Sequence, residues 1–104
     1  MDKTEAKQLQ EDLGVSKEIK LLIPIKLGSG HLLEKVTLRR LKVGDMRAVA
    51  HIGNDAEREL TLFSRATGLI PEDFDLLDVA DYTAIQEWFR LTTEQKATAE
   101  QSAD

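Results

Sequence analysis

The side chains whose type and spacing could do chemistry are five carboxylates, Glu72, Asp73, Asp75, Asp78 and Asp81, packed into one short stretch. Carboxylates at alternate positions suggest a calcium loop, which needs oxygen ligands at fixed steps and a glycine at its sharp turn. A loop starting at Asp73 matches at Asp75, but it puts Leu77 where an oxygen ligand belongs and Asp78 where the glycine belongs. The other chemistry carboxylates do at such spacing is to satisfy free N–H groups at helix starts, and that reading fits here. Gly28-Ser29-Gly30 has two glycines of a phosphate-binding loop. It joins two strand-like segments, however, and lacks both the third glycine and the lysine-serine pair. His31 and His51 fall in neither a two-histidine metal spacing nor a nucleophile elbow. With no cysteine in the chain there is no thiolate nucleophile and no thiolate metal ligand. No catalytic residue, metal site or cofactor is expected, and the chain does not read as an enzyme.

The elements that would position these side chains follow from periodicity. Ile19, Leu21, Ile23, Ile25 and Leu27 alternate with Lys20, Leu22, Pro24 and Lys26, the pattern of a half-buried strand with its odd-numbered face inward. On that pattern Ile23→Asp should unfold the domain. Pro24 has no N–H to give a ladder, so this strand belongs at a sheet edge, or Pro24 points its missing donor outward. Gly28 to Gly30 supply the positive-φ positions of a tight turn. Residues 35–39 form the return strand with Val36 and Leu38 inward. A lone hairpin is not stable in water and must lie on an apolar support.

The sequence that follows supplies that support. A short helix from Gly44-Asp45 should bury Met46, Val49 and Ile52, closed by Gly53 at C′. Asn54 or Asp55 can cap the next helix, with Ala56, Leu60, Phe63 and Thr67 on one face, and Gly68 stops it. Leu69 is placed for the apolar contact that follows such a stop, and Pro71 suits the first turn of another short helix. Asp78 and Asp81 form a variant capping box opening the last helix, which carries Tyr82, Ile85 and Phe89 along one stripe with Trp88 beside them. The fold class is α+β: an N-terminal β-hairpin packed on a small cluster of three or four helices, with polar, flexible ends. The division is a polar arm over residues 1–16, one domain over 17–91 and a polar tail over 92–104.

Composition narrows the function classes. At 104 residues the chain is one domain with a modest core, 41% hydrophobic but only 5% aromatic, so aliphatic side chains must do most of the packing. A net charge of −5, with Arg39, Arg40 and Lys42 as the one short basic cluster, argues against a nucleic-acid partner. No apolar run approaches the about 20 residues of a membrane span. No apolar signal-peptide core is visible near the start, so the cytoplasm is the expected compartment.

Two stretches carry a family likeness. The hairpin leads into Leu38-Arg39-Arg40-Leu41-Lys42-Val43-Gly44-Asp45-Met46-Arg47-Ala48. An acidic helix is then followed by Gly68-Leu69-Ile70-Pro71-Glu72-Asp73-Phe74, with Leu77, Asp78, Asp81 and Tyr82 beyond. In order and spacing this resembles the small tail assembly chaperones of Mu-like and related contractile-tailed bacteriophages, over residues 17–91. Leu41 is a departure, because many members would carry proline there. The resemblance implies a non-enzymatic protein of the host cytoplasm, missing from the mature virion. It would bind the long, apolar, helical tape measure protein and keep it soluble while the tail tube assembles. The tail tube protein and a second copy of the chain are further candidate partners, and a frameshift-extended form is a family trait. The competing reading is a small acidic regulatory or anti-host protein that binds its partner by strand addition at the hairpin edge. Candidate partner-binding residues are Trp88, Phe89 and Leu91 near the end of the last helix, with Leu22 on the edge strand.

Overall fold

The computed structural model describes residues 15–103. Strand β1 (Ser16–Lys26) and strand β2 (Leu32–Arg39) form an antiparallel hairpin. Four helices follow among the described residues: α1 (Val43–Val49), α2 (Asp55–Thr67), α3 (Pro71–Phe74) and α4 (Val79–Ala103). This is the α+β hairpin-on-helices architecture read from the sequence. Most of the expected N-terminal arm lies outside the described residues. The turn is closed by the Gly30 N–H donating to the Leu27 carbonyl and the Leu27 N–H donating to that of His31, both at 2.8 Å. Only Gly30 takes a positive φ there, at 90°; Gly28 does not need one.

Helix α4 lies along β1 and α2 along β2, so one face of the hairpin is covered. The core joins Leu21, Ile25, Val36 and Leu38 of the sheet to Phe63 and Ala66 of α2, Phe74 of α3, and Ile85 and Phe89 of α4. Leu38 and Ile85 are wholly enclosed, and complete burial of such a side chain is worth about 1.5–3 kcal/mol. The Phe63 and Phe89 rings stack at 4.5 Å between centroids, and Tyr82 meets Phe74 edge-on at 5.9 Å.

The strand departs from regular alternation at one place. Lys20 pairs with Lys35 and Ile25 with Leu33, so Leu21 to Pro24 face Glu34 alone. Such a bulge bends the strand and frees backbone groups from the ladder. Pro24, which has no N–H to offer, sits inside it. The bulge explains why the odd-numbered face is interrupted: Ile19, Leu21 and Ile25 turn inward, but Ile23 is 53% exposed. The expectation that Ile23 is a core residue is therefore corrected.

Helix ends follow local chemistry. The Asn54 side chain accepts the Glu57 N–H at 3.0 Å to open α2, and Gly68 closes it at φ 82°. Leu69 then packs against the core. Pro71 occupies the first turn of α3. Three other expectations fail. Helix α1 ends at Val49 with Ala50 as its cap, and Gly53 takes no positive φ. Its inward face carries Asp45 and Val49, one turn apart, which leaves Met46 exposed. On α2 the buried pair is Phe63 and Ala66, and Ala56 is exposed. Beyond Leu91 the chain continues as helix to Ala103. The segment is polar but rich in alanine, glutamate, glutamine and lysine, all strong helix formers.

Candidate partner-binding surfaces

Two buried carboxylates hold the frame on which any surface must be built. Asp81, in the first turn of α4, is 2% exposed. One of its oxygens accepts the Leu22 N–H at 2.8 Å and the other the Ile23 N–H at 3.2 Å. These two amides lie in the bulge, and the carboxylate takes the place of the ladder. Asp78 caps α4 as expected, accepting the Ala80 N–H at 3.0 Å. Asp81 does not complete a capping box with it; its side chain reaches across to β1 instead.

Asp45 is the second. Arg39 donates to both its oxygens at 2.8 Å, Arg65 adds a third contact at 3.0 Å, and the Lys42 N–H a fourth at 2.8 Å. The hydrogen-bonded Arg39 guanidinium, helped by Lys42 and Arg65, holds this carboxyl well below the usual carboxylate range against the opposing effect of burial. Arg39 also donates to the carbonyls of Arg40 and Arg65, and Arg40 donates to the Thr92 carbonyl of α4. The basic cluster seen in the sequence thus ties β2, α1, α2 and α4 together. No buried side-chain nitrogen or oxygen among the described residues lacks a hydrogen-bond partner.

Between α1, α2 and α4 this frame leaves an open groove of about 410 Å³. Its apolar lining is Leu41, Met46, Val49, Leu62, Phe63 and Phe89. Polar side chains ring it: Arg58 pairs with Asp55, Arg90 with Glu87, and Glu59 accepts from the Tyr82 hydroxyl at 2.6 Å and from Gln86 at 2.9 Å. Burial and the adjoining Glu59 carboxylate push the Tyr82 phenol up, so it stays a neutral donor. A groove with an apolar floor and a polar rim suits an amphipathic helix. Among the described residues no His, Asp and Glu side chains gather in a group of three that could hold a metal ion. None of their helices is long and apolar enough to cross a membrane.

Comparison with known proteins decides the family. Residues 18–93 match the model of the family described as phage tail assembly chaperone proteins, E, or 41 or 14. The chain belongs to this tail assembly chaperone family. No curated protein and no solved structure gave a match. Family membership points to a non-enzymatic role in building phage tails, and to phage tail proteins as partners.

In this chaperone the four residues singled out from the sequence do not form one patch. Phe89 is 3% exposed, stacked on Phe63, and reaches the surface only as part of the groove floor. Trp88 is half-buried, its ring edge-on to Phe89 at 5.2 Å. Trp88 and Leu91 project from the flank of α4 opposite Gln86 and Thr93, so they stand outside the groove. Leu91 and Leu22 are both exposed, Leu22 at the bulge and Leu91 well along α4. Met46, which the sequence spacing assigned to the core, is instead the exposed apolar side chain at the groove. A methionine in the midst of Gly44, Asp45 and Arg47 carried the signal, but only the placement of Asp45 shows which way it points.

Proposed function

We propose that this tail assembly chaperone binds an apolar helical segment of the tape measure protein in the groove between α1, α2 and α4 and keeps that protein soluble while the tail tube forms. The family match over residues 18–93 carries the reading. The groove supports it, because a helix presents apolar side chains every three or four residues and the floor offers matching apolar surface. Met46 adds an adaptable rim: its unbranched thioether can repack against different side chains, which suits a partner with many similar but unequal segments. The chaperone would act in the host cytoplasm and be left out of the finished virion.

Strand addition at the hairpin edge is disfavoured at the centre of β1. The Leu22 and Ile23 amides are already bound to Asp81, and Pro24 has none to offer.

The test is co-expression of the full chain with the tape measure protein of the same phage. Wild type should move the tape measure protein into the soluble fraction, and Met46→Glu should fail to do so with unchanged circular dichroism. A tape measure protein equally insoluble with and without the wild-type chain would overturn the reading. Equal rescue by wild type and Met46→Glu would move the binding surface away from the groove.

A further inference from the structure

The exposed aliphatic side chains are unevenly spread, and charge divides them. Leu22, 75% exposed, and Ile23 project from the bulge of β1 between two exposed lysines, Lys20 and Lys26. Ile70, Leu76 and Val79, all exposed, sit between α2 and the start of α4 in a stretch carrying Glu72, Asp73, Asp75 and Asp78 and no lysine or arginine. Along its own strand the first apolar surface is thus flanked by cations, with Glu34 alone across the bulge, and the second is flanked by anions. The Asp81 side chain brings them together: it holds the Leu22 and Ile23 amides from a position three residues beyond Asp78.

The arrangement is costly for an isolated molecule. A buried carboxylate is used to hold two aliphatic side chains out into water, where a regular strand would have paired one of those two amides in its ladder and continued the inward alternation through Ile23. A second copy of the chain resolves both features. Turned about a twofold axis, the lysine-flanked bulge of one protomer meets the carboxylate-flanked α3–α4 turn of the other, and the reverse contact forms at the same time. Opposite charges then ring two buried apolar patches, the arrangement that selects a partner and fixes its register. The groove between α1, α2 and α4 is built from other residues.

We infer that the protein forms a twofold dimer through this surface, Leu22 and Ile23 of each copy packing between the carboxylate-flanked Leu76 and Val79 of the other. The inference does not rest on the tape measure reading, and either can fail alone.

Sedimentation equilibrium of the full chain tests it. The wild type should dimerise, more weakly at high salt because the flanking charges are exposed. Lys20→Glu with Lys26→Glu makes both sides of the interface acidic, and Glu72→Lys with Asp75→Lys makes both sides basic. Each double variant alone should dissociate at least tenfold more readily than wild type. Mixing the two should restore association at least to the wild-type level, a result that damaged folding would not produce. Leu22→Ser with Ile23→Ser should also weaken the dimer at least tenfold while preserving the circular dichroism spectrum. A wild type that stays monomeric to its solubility limit overturns the inference. So does a dimer indifferent to these substitutions, or variants that fail to recombine. A monomer whose Leu22 and Val79 amide signals shift on adding tape measure protein overturns it in favour of a partner surface.

Discussion

Asp45 and Asp81 are both buried carboxylates next to a helix start, yet they are held in different ways. Asp45 faces one N–H, that of Lys42 in the turn before its own helix, and two guanidinium groups, Arg39 and Arg65, whose side chains remain about 40% and 46% exposed. Asp81 faces the peptide N–H groups of Leu22 and Ile23. If Asp45 is lost, the arginines can turn into water. If Asp81 is lost, the two amides have no other acceptor within the bulge and cannot move without refolding the strand. The same side chain is therefore a tie between mobile charges at one end of the hairpin and a fixed template for the backbone at the other. The second role is the harder to replace.

The largest effect should come from Asp81→Ala. Leaving two partly buried amides without an acceptor costs about 1–3 kcal/mol each, a large part of the about 5–15 kcal/mol that holds a domain of this size together. Urea unfolding should show a fall of about 2–5 kcal/mol. Asp81→Asn should recover only part of it, since it offers one acceptor oxygen where the carboxylate offers two. A loss below about 1 kcal/mol for Asp81→Ala would make the two carboxylates equivalent and remove the contrast.

Asp45→Ala should cost less, about 1–2 kcal/mol. It also carries a pH signature. The Asp45 carboxyl titrates below its unfolded value, so its contribution is complete above the ordinary aspartate range near about 4 and is lost as pH falls toward the depressed folded value. The stability gap between wild type and Asp45→Asn should therefore be widest above about pH 5 and narrow steadily as the solution is acidified. A gap that widens on acidification would contradict the assignment of Arg39 as the dominant partner.

Ile23→Asp should have the smallest effect. The side chain is more than half exposed, and substitutions at such sites usually stay within about 0.5 kcal/mol. A thermal melt close to wild type is expected at chain concentrations low enough for both proteins to be monomeric; unfolding there would mean that the bulge does not turn Ile23 outward.

These three positions also mark how far the sequence could be read. Caps and stops were legible because their chemistry is local. Asn54, Gly68, Pro71 and Asp78 each act within a few residues of themselves, and each is found in the role its type suggests. The hairpin was legible because alternation and a glycine-bearing turn occur together. Asp81 looked like one more cap, and its partner lies 59 residues away. Once that contact is missed, Ile23 is read into the core, because nothing in the alternating pattern announces a bulge except Pro24. Met46 was misplaced for a related reason. A three-residue apolar spacing put it inward, but the arginines that draw Asp45 in come from β2 and from α2. Of the surface residues, Leu22 and Leu91 could be identified as exposed aliphatics. Phe89 could not be separated from the core by its spacing, since a stripe at helical period reads the same on a groove floor as in an interior.

The groove is tested most directly by amide chemical-shift mapping of the ¹⁵N-labelled chain with a soluble helical segment of the tape measure protein. Shifts concentrated at Met46, Val49 and Leu62, with Leu22, Ile23 and Val79 unchanged, are the expected result. Shifts confined to the bulge and the start of α4, with Met46 and Leu62 unmoved, would contradict it.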